Sequence, residues 1–329
     1  MRESQHQTTG RILWIDVVRG VMISAVVLLH ATLALQVWYP DLAATGRLTW
    51  VARLCDELDQ VRMPSLFLCA GLMFSACLGR GWVWFVRSRL PVLIWLIALW
   101  TVISAGAEAM GLHLVPWGSF PLVPTERLFL DPYQGLWFLY ALAIVSALAL
   151  LLKGLPISIQ LPVVLGLSAL SSGLSPLVTE APGLALLLEE LGKSALVFFM
   201  LGVWWRPVIL RLAEDRRRAL ALQIILSVFG AGFLHFWQPQ GLWWLMLAAL
   251  PMTGGYLAMI RILASWAAFA RLFAAIGRHS LEIFCLHQFL VAATFQLLRH
   301  YAPETEPGLV LTLLFASGLA GSLALTRVL

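Results

Sequence analysis

Three ionisable residues, Asp16, Arg19 and His30, lie within one long apolar stretch, residues 12–38. Asp16 and Arg19 are three residues apart, so they can pair across one turn of a helix. Arg19 and His30 are 11 residues apart, and a helix would place both on one face, about 16 Å apart along its axis. An imidazole can serve as a general base near neutral pH, whereas a guanidinium binds phosphate or carboxylate oxygens.

The stretch that carries these residues is long enough to cross a bilayer, because a spanning helix needs about 20 residues. Ionisable groups are costly at that depth and usually mark a functional pathway. A purely structural interpretation is also open. In it, Asp16 and Arg19 anchor the end of the helix, and His30 makes an ordinary hydrogen bond to another helix.

The composition is that of a membrane protein, since 60% of the residues are hydrophobic and only 12% are charged, against about 25% charged in soluble domains. We therefore expect an all-α integral membrane protein with a single membrane-embedded domain over residues 1–329, of which 1–12 form a short cytoplasmic tail. The net charge is +5, but the basic residues follow the loops, so no nucleic-acid partner is expected. The four cysteines show no metal-ligand spacing, and no metal is expected.

About ten transmembrane helices are predicted from the apolar segments. They are 13–36, 61–78, 90–107, 135–152, 159–173, 192–206, 219–236, 242–260, 280–299 and 308–326. With this number of spans, 15 of the 22 basic residues fall on one side of the membrane, while the other side is acidic. The positive-inside rule then predicts that the N-terminus and the C-terminus are both cytoplasmic. Arg19 would lie near the cytoplasmic face, with His30 deeper in the membrane.

Three carboxylates, Asp56, Glu57 and Asp59, come just before the second predicted span, at its outer end. Glu57 or Asp59 could act in catalysis by orienting His30, or these groups could bind sugar hydroxyls. They could equally form a solvated loop face.

Several motifs, in chain order, resemble those of the acyltransferase-3 family of membrane acyltransferases, which move acyl groups onto sugars, lipids and glycans. An arginine and a histidine separated by ten residues in the first span match Arg19 and His30 directly. The other similar stretches are Met63–Gly71, Arg87–Pro91, Leu136–Leu139 and Gly277–His287. The chain departs from the family pattern at Ala70, where serine is usual, and at Phe284, where tyrosine is usual.

The resemblance implies an O-acyltransferase in a bacterial inner membrane, with acyl-CoA, most simply acetyl-CoA, as the donor. His30 would be the general base. Arg19, Arg87 and Arg89 would bind the phosphates of the donor, with Asp16 beside Arg19. The acceptor would be a hydroxyl of an extracytoplasmic or lipid-linked glycan.

Three further residues are candidates for supporting roles around the substrate. Trp137 could stack on a sugar or an adenine, or it could be an aromatic residue of the membrane interface. His287 follows Ser280 by seven residues, so the two lie on one face of a helix.

A different class of function also fits these residue types. In a transporter or channel, Asp16, Arg19, His30 and His287 would line a path for protons or a solute. The sequence shows no internal repeat of the kind found in many transporters. Binding and consumption of CoA thioesters would separate the two hypotheses.

Overall fold

The computed structural model describes residues 12–42, 46–109, 131–132, 135–237 and 242–327, which are mostly helical and contain no strand. The α-helices are α1 (Leu13–Trp38), α2 (Thr49–Ser75), α3 (Gly81–Trp84), α4 (Leu90–Ala109), α5 (Trp137–Leu151), α6 (Ile157–Leu174), α7 (Pro182–Glu190), α8 (Leu196–Trp204), α9 (Arg206–Glu214), α10 (Arg216–Trp237), α11 (Leu242–Leu263), α12 (Ala267–Arg278), α13 (Ser280–Tyr301), α14 (Pro307–Ala316) and α15 (Ser322–Leu325). π-Helical turns at Phe85–Arg89, Leu191–Ala195 and Ser317–Gly321 continue α3 into α4, α7 into α8 and α14 into α15.

The chain is an all-helical, multi-pass membrane protein, and each of the ten predicted apolar segments overlaps a helix. Within the described ranges, six helical stretches are long and apolar enough to cross a bilayer. They are Leu13–Trp38, Leu78–Ala107, Ile157–Leu177, Met246–Leu263, Ser280–Tyr301 and Pro307–Leu325. Ten spans and cytoplasmic termini remain predictions. The predicted tail, apart from Ile12, and most of the outer loop 108–134 lie outside the described residues.

Helix α1 is enclosed by other helices, since α2, α12, α13 and α14 all pack against it. Val17, Met22 and Val27, which point in different directions around its axis, are fully buried. A helix that is apolar around most of its circumference belongs inside a bundle. The polar groups of α1 therefore meet protein from other helices.

The contact between α1 and α12 depends on glycine from both helices. A Cβ added to Gly20 would overlap the backbone carbonyl of Phe273, and a Cβ added to Gly277 would overlap that of Asp16. Small residues let helix backbones approach closely, and close packing is a main source of helix association within membranes. Gly20 and Gly277 therefore fix the distance between α1 and the junction of α12 with α13.

Helix α12 is absent from the ten predicted segments, because it is short and its apolar residues are interrupted by Arg271 and followed by Arg278. Ala270, Ala274 and Ile276 are buried, while Arg271 and Arg278 are exposed. This is the amphipathic pattern of a helix that covers others, and it is shorter than a spanning helix. Arg271 and Arg278, which the sequence analysis assigned to a cytoplasmic loop, lie on the exposed face of a packed helix.

Helix α2 begins at Thr49, 12 residues before the predicted start of its span at residue 61. The expectation that Asp56, Glu57 and Asp59 lie in a loop is wrong, because all three are within this helix. Backbone hydrogen bonding does not require apolar side chains, so a helix can continue past the end of an apolar stretch.

Candidate active site

Arg19 is held at its end of α1 by two oxygen ligands. Its Nη2 donates to the Ser280 hydroxyl at 2.7 Å, and its Nη1 lies 3.5 Å from the Asp16 carboxylate. The Arg19 side chain is 19% exposed, whereas that of Asp16 is 9% exposed. The predicted pair of Asp16 and Arg19 is present, and Ser280 contacts this pair.

The position of Ser280 follows from the glycine contact between α1 and α12. Ser280 is the first residue of α13 and comes three residues after Gly277. Because Gly277 lies against the Asp16 backbone, the start of α13 is held beside the first turns of α1. The Ser280 hydroxyl therefore reaches the Arg19 guanidinium.

A cavity of about 160 Å³ opens beside this guanidinium. Arg19, Arg89 and Ser280 give it a polar, cationic part. Most of the remaining wall is apolar, with Ile23 of α1 and Phe284 of α13 on the side that leads toward His30. The cavity can therefore hold an anionic group beside an apolar chain.

Arg87 and Arg89 occupy different positions, although both belong to the π-helical turn Phe85–Arg89. Arg89 lines the cavity with Arg19, and its guanidinium lies 6.0 Å from the centre of the Trp84 ring. Arg87 is exposed and does not line that cavity. Of the two predicted phosphate ligands, only Arg89 shares a cavity with Arg19.

His30, at the other end of the polar face of α1, pairs with His287 of α13. The Nε2 atom of His287 lies 3.1 Å from Nδ1 of His30, and the two ring centres are 4.9 Å apart. His287 is fully buried, whereas His30 is partly exposed. The two residues are 257 positions apart in the chain, so the fold alone creates this pair.

When both rings are neutral, the hydrogen bonds assign their tautomers. Nδ1 of His287 lies 2.9 Å from the Ile283 carbonyl, so it must carry the proton, and Nε2 of His287 is then an acceptor. Nδ1 of His30 lies between that acceptor and the Val26 carbonyl, 3.0 Å away, so it must also carry the proton. The lone pair of His30 is therefore on Nε2, where the Gln288 amide donates at 3.3 Å.

Aromatic side chains separate the cavity from the histidine pair. Phe138 and Phe284 both line the cavity, with their ring centres 4.8 Å apart. The Phe284 ring centre also lies 6.0 Å from that of His287. A chain that extended from the arginine end would pass these rings before it reached His30.

The predicted carboxylates are on α2 and form other contacts. Asp59 accepts from Arg62 at 2.9 Å and from Lys193 at 3.2 Å, while Glu57 is exposed. Neither is among the partners of His30 given above. The neighbour that orients the His30 ring in these contacts is His287.

Trp137 is buried at the start of α5. Its ring centre lies 6.2 Å from that of Phe67 and 6.1 Å from that of Phe138. Since Phe138 lines the cavity, Trp137 supports the cavity wall from behind. Its contact with a sugar or an adenine remains a prediction.

A family model described as an acyltransferase domain matches residues 12–327, nearly the whole chain. The chain belongs to the acyltransferase-3 family. No curated protein and no solved structure gave a significant match. The family membership supports a membrane acyltransferase and weighs against the transporter hypothesis.

Sequence reasoning missed several polar residues of this acyltransferase. Gln288 follows His287 directly, and a Cβ on Gly135 would lie within 3.0 Å of its amide group. Lys193 contacts Asp59 from the π-helical turn between α7 and α8. The polar character of these residues within apolar segments was visible, but their partners come from distant parts of the chain.

The described residues of the acyltransferase contain no group of three or more histidine, cysteine or acidic side chains that could hold a metal ion. The two ends of α1 differ instead in the side chains they carry, with guanidinium groups beside the cavity and the imidazoles of His30 and His287 at the other end.

Proposed function

We propose that this acyltransferase transfers an acyl group, most simply acetyl, from acyl-CoA to a hydroxyl of an extracytoplasmic or lipid-linked glycan. In this scheme His30 is the general base, and Arg19 with Arg89 binds the donor. The observation that carries the proposal is the histidine pair, in which the lone pair of His30 is on Nε2. That atom accepts from the Gln288 amide in this structure, and it can take a proton from an acceptor hydroxyl that replaces this amide.

The cavity supports the donor part of the proposal. Guanidinium groups bind phosphate oxygens through paired hydrogen bonds, and Arg19 and Arg89 both line one side of the cavity. The apolar wall beyond them suits the acyl arm of the donor. Arg19 and His30 are 11 residues apart on α1, so the arm has to extend about 16 Å from the cations to the base.

The distribution of charge supports an orientation for the site. With ten spans and cytoplasmic termini, Arg19 and Arg89 face the cytoplasm, where acyl-CoA is made. His30 lies deeper, so an acceptor approaches it from the opposite side. In a bacterium, this arrangement acylates glycans outside the inner membrane with a donor that stays inside.

The transfer step is balanced without a covalent enzyme intermediate. Nε2 of His30 takes the hydroxyl proton as the acceptor oxygen bonds to the thioester carbonyl carbon. The resulting tetrahedral oxyanion collapses, and the carbon–sulfur bond breaks with its electron pair on sulfur. The imidazolium proton then passes to the thiolate, which leaves as free CoA.

The proposal is tested with radiolabelled acetyl-CoA and membranes that contain wild-type protein, His30→Ala or His300→Ala. We expect label in glycan or lipid with wild type and with His300→Ala, since His300 is exposed at the end of α13. His30→Ala should lower the transfer rate by about 10²- to 10⁴-fold, the usual contribution of a general base. Its affinity for acetyl-CoA should stay the same.

Two outcomes would contradict parts of the proposal. Wild-type protein that neither binds nor consumes any acyl-CoA would remove the donor assignment and return weight to a transport function. Full transfer by His30→Ala would remove His30 as the base while leaving the acyltransferase activity in place.

A further inference from the structure

Arg62 carries a buried cationic donor that has no protein acceptor. The residue is 4% exposed on α2, and its Nη2 donates to Asp59 at 2.9 Å. Its Nη1 is also buried, and the described residues provide no hydrogen-bond partner for it. A buried donor that lacks an acceptor is unfavourable, and more so when it is charged. Arg62 therefore has unused capacity to bind an anionic or carbonyl oxygen.

The register of α1 against α2 places Arg62 near the histidine pair. The Thr32 hydroxyl lies 3.7 Å from the Cys55 sulfur, and Nη1 of Arg19 lies 3.8 Å from the Met73 sulfur. Because the two helices run antiparallel, interpolation between these contacts puts Arg62 level with residues 25–30 of α1.

The other half of the Arg62 guanidinium is fixed by a chain of ion pairs. Asp59 binds Arg62 through one carboxylate oxygen and Lys193 through the other, at 3.2 Å. Lys193 in turn lies 3.8 Å from the Glu190 carboxylate. Two cations and two anions balance one another in this cluster. These ion pairs thus hold Nη1 of Arg62 in position without accepting a hydrogen bond from it.

We infer that Nη1 of Arg62 donates a hydrogen bond to the carbonyl oxygen of the donor thioester and stabilises the oxyanion that forms there. This inference rests on the proposed function, in which the acyl carbon meets the acceptor oxygen beside His30. When the acceptor oxygen attacks, the carbonyl π electrons move to that oxygen and Arg62 compensates the new charge. When the carbon–sulfur bond breaks, the carbonyl forms again, and the hydrogen bond from Arg62 to its oxygen weakens. Arg62 neither gains nor loses a proton.

A preorganised donor of this kind raises turnover by about 10²- to 10³-fold, because its hydrogen bond strengthens as negative charge develops on the oxygen. Arg62 is therefore a catalytic residue, since it touches the reacting oxygen. Asp59, predicted from the sequence as a catalytic carboxylate, is a positioning residue that acts through Arg62.

The first test is the infrared carbonyl band of carbonyl-¹³C acetyl-CoA bound to wild type, to Arg62→Met and to Arg53→Met. Arg53 is an exposed arginine of the same helix and serves as the matched control. The band should lie at lower wavenumber in wild type and Arg53→Met than in Arg62→Met. A band that is identical in all three proteins would overturn the inference, even if wild type proves to be an active acyltransferase.

The second test measures CoA release from acetyl-CoA, both to water and to the acceptor in native membranes. Arg62→Met should lower both rates at saturating acetyl-CoA by about 10²- to 10³-fold, with unchanged acetyl-CoA affinity. A loss confined to transfer into the membrane acceptor would mean that Arg62 binds the acceptor, and would overturn the inference. If wild-type protein does not bind acetyl-CoA at all, the proposed function itself is overturned.

Arg62→Met leaves Asp59 with one cation fewer, which could prevent folding. The double variant Arg62→Met, Asp59→Asn removes both charges and leaves Lys193 with Glu190. It should bind acetyl-CoA and show the same band shift and the same loss of turnover. A folded double variant with wild-type turnover would overturn the inference.

Discussion

The two ends of α1 present polar groups in opposite ways. Arg19 faces a cavity, is partly exposed, and shares that cavity with a second arginine, Arg89. His30 has neutral hydrogen-bond partners that determine which nitrogen carries its proton, and one of them, His287, is fully buried. The Arg19 end attracts anions, and its side chains can move without losing this attraction. The His30 end requires the proton of each imidazole to be on Nδ1.

This contrast indicates which groups each end of the site can lose and still function. A cationic cavity with two arginines keeps part of its attraction for an anion when one is removed. The Nδ1 proton of His30 has a side-chain acceptor in His287 and a backbone acceptor in Val26, so removing His287 takes away the side chain that holds the ring in place. Substitutions at the histidine end should therefore act on turnover, and those at the arginine end on donor affinity.

Among the substitutions that test this contrast, turnover should fall furthest at His287, whose Nε2 is a side-chain acceptor for Nδ1–H of His30. His287→Asn is too short to supply that acceptor, so turnover should fall by about 100-fold, toward the loss of general base catalysis. His287→Gln can place its side-chain oxygen where Nε2 was. It should recover most of the turnover, with acetyl-CoA affinity unchanged in both variants.

The matched pair is decisive because Asn and Gln differ by one methylene group. Wild-type turnover of both His287→Asn and His287→Gln, measured at saturating acetyl-CoA, would show that the acceptor is not needed. The contrast between the two ends of α1 would then lose its basis.

A smaller effect is expected at Gly20, which determines the approach of α12 to the arginine end. A Cβ in Gly20→Ala overlaps the Phe273 carbonyl, and overpacking of this kind costs about 1–3 kcal/mol. The displaced α12 should also move Ser280 from Arg19 and weaken donor binding. Thermal unfolding in detergent and acetyl-CoA titration measure the two consequences.

Gly106→Ala is the control, because nothing lies within 4 Å of a Cβ at that position in α4. It should leave both stability and donor affinity unchanged. An unfolding temperature of Gly20→Ala equal to that of Gly106→Ala would mean that the α1–α12 contact can relax, and that Ser280 is positioned by other means.

The smallest effect is expected at Arg89, which is exposed and therefore screened by solvent. Arg89→Met should raise the KM for acetyl-CoA by about 5- to 10-fold, the value of one phosphate contact in water. Arg87→Met, two residues away in the same π-helical turn, should change it by less than about 2-fold. Steady-state kinetics at low and high salt would measure both.

Equal rises in KM for Arg87→Met and Arg89→Met would indicate long-range attraction by the whole basic turn. The cavity would then have no special part in holding the phosphates. A fall in kcat with unchanged KM in Arg89→Met would place that residue in the chemical step and remove the contrast between the two ends.

The apolar segments predicted from the sequence all correspond to helices, because hydrophobic runs of this length have few other structures available in a membrane. The predicted helix bounds were wrong where a helix extends beyond an apolar segment or contains charged residues. Helix α2 continues through Asp56 and Asp59, and α12 is amphipathic and too short for a span.

Within the candidate site, the sequence could place Arg19 and His30 on one face of α1, because helical geometry is local. It could not pair His30 with His287, or Arg19 with Ser280, because these residues meet only after helices far apart in the chain have packed. Arg62 and Gln288 adjoin the similar stretches Met63–Gly71 and Gly277–His287, but neither residue belongs to them. Their importance is visible only through the hydrogen bonds that surround them.

Because α1 is one continuous helix, it fixes both the distance between Arg19 and His30 and the relative directions of their side chains. It runs from Leu13 to Trp38 without a proline or a change of helix type, so each inserted residue between Arg19 and His30 would turn the imidazole by about 100°. Insertion of a whole turn would restore its direction but lengthen the path by about 5 Å. Adaptation to longer or shorter acyl groups therefore has to come from wall residues such as Ile23 and Phe284.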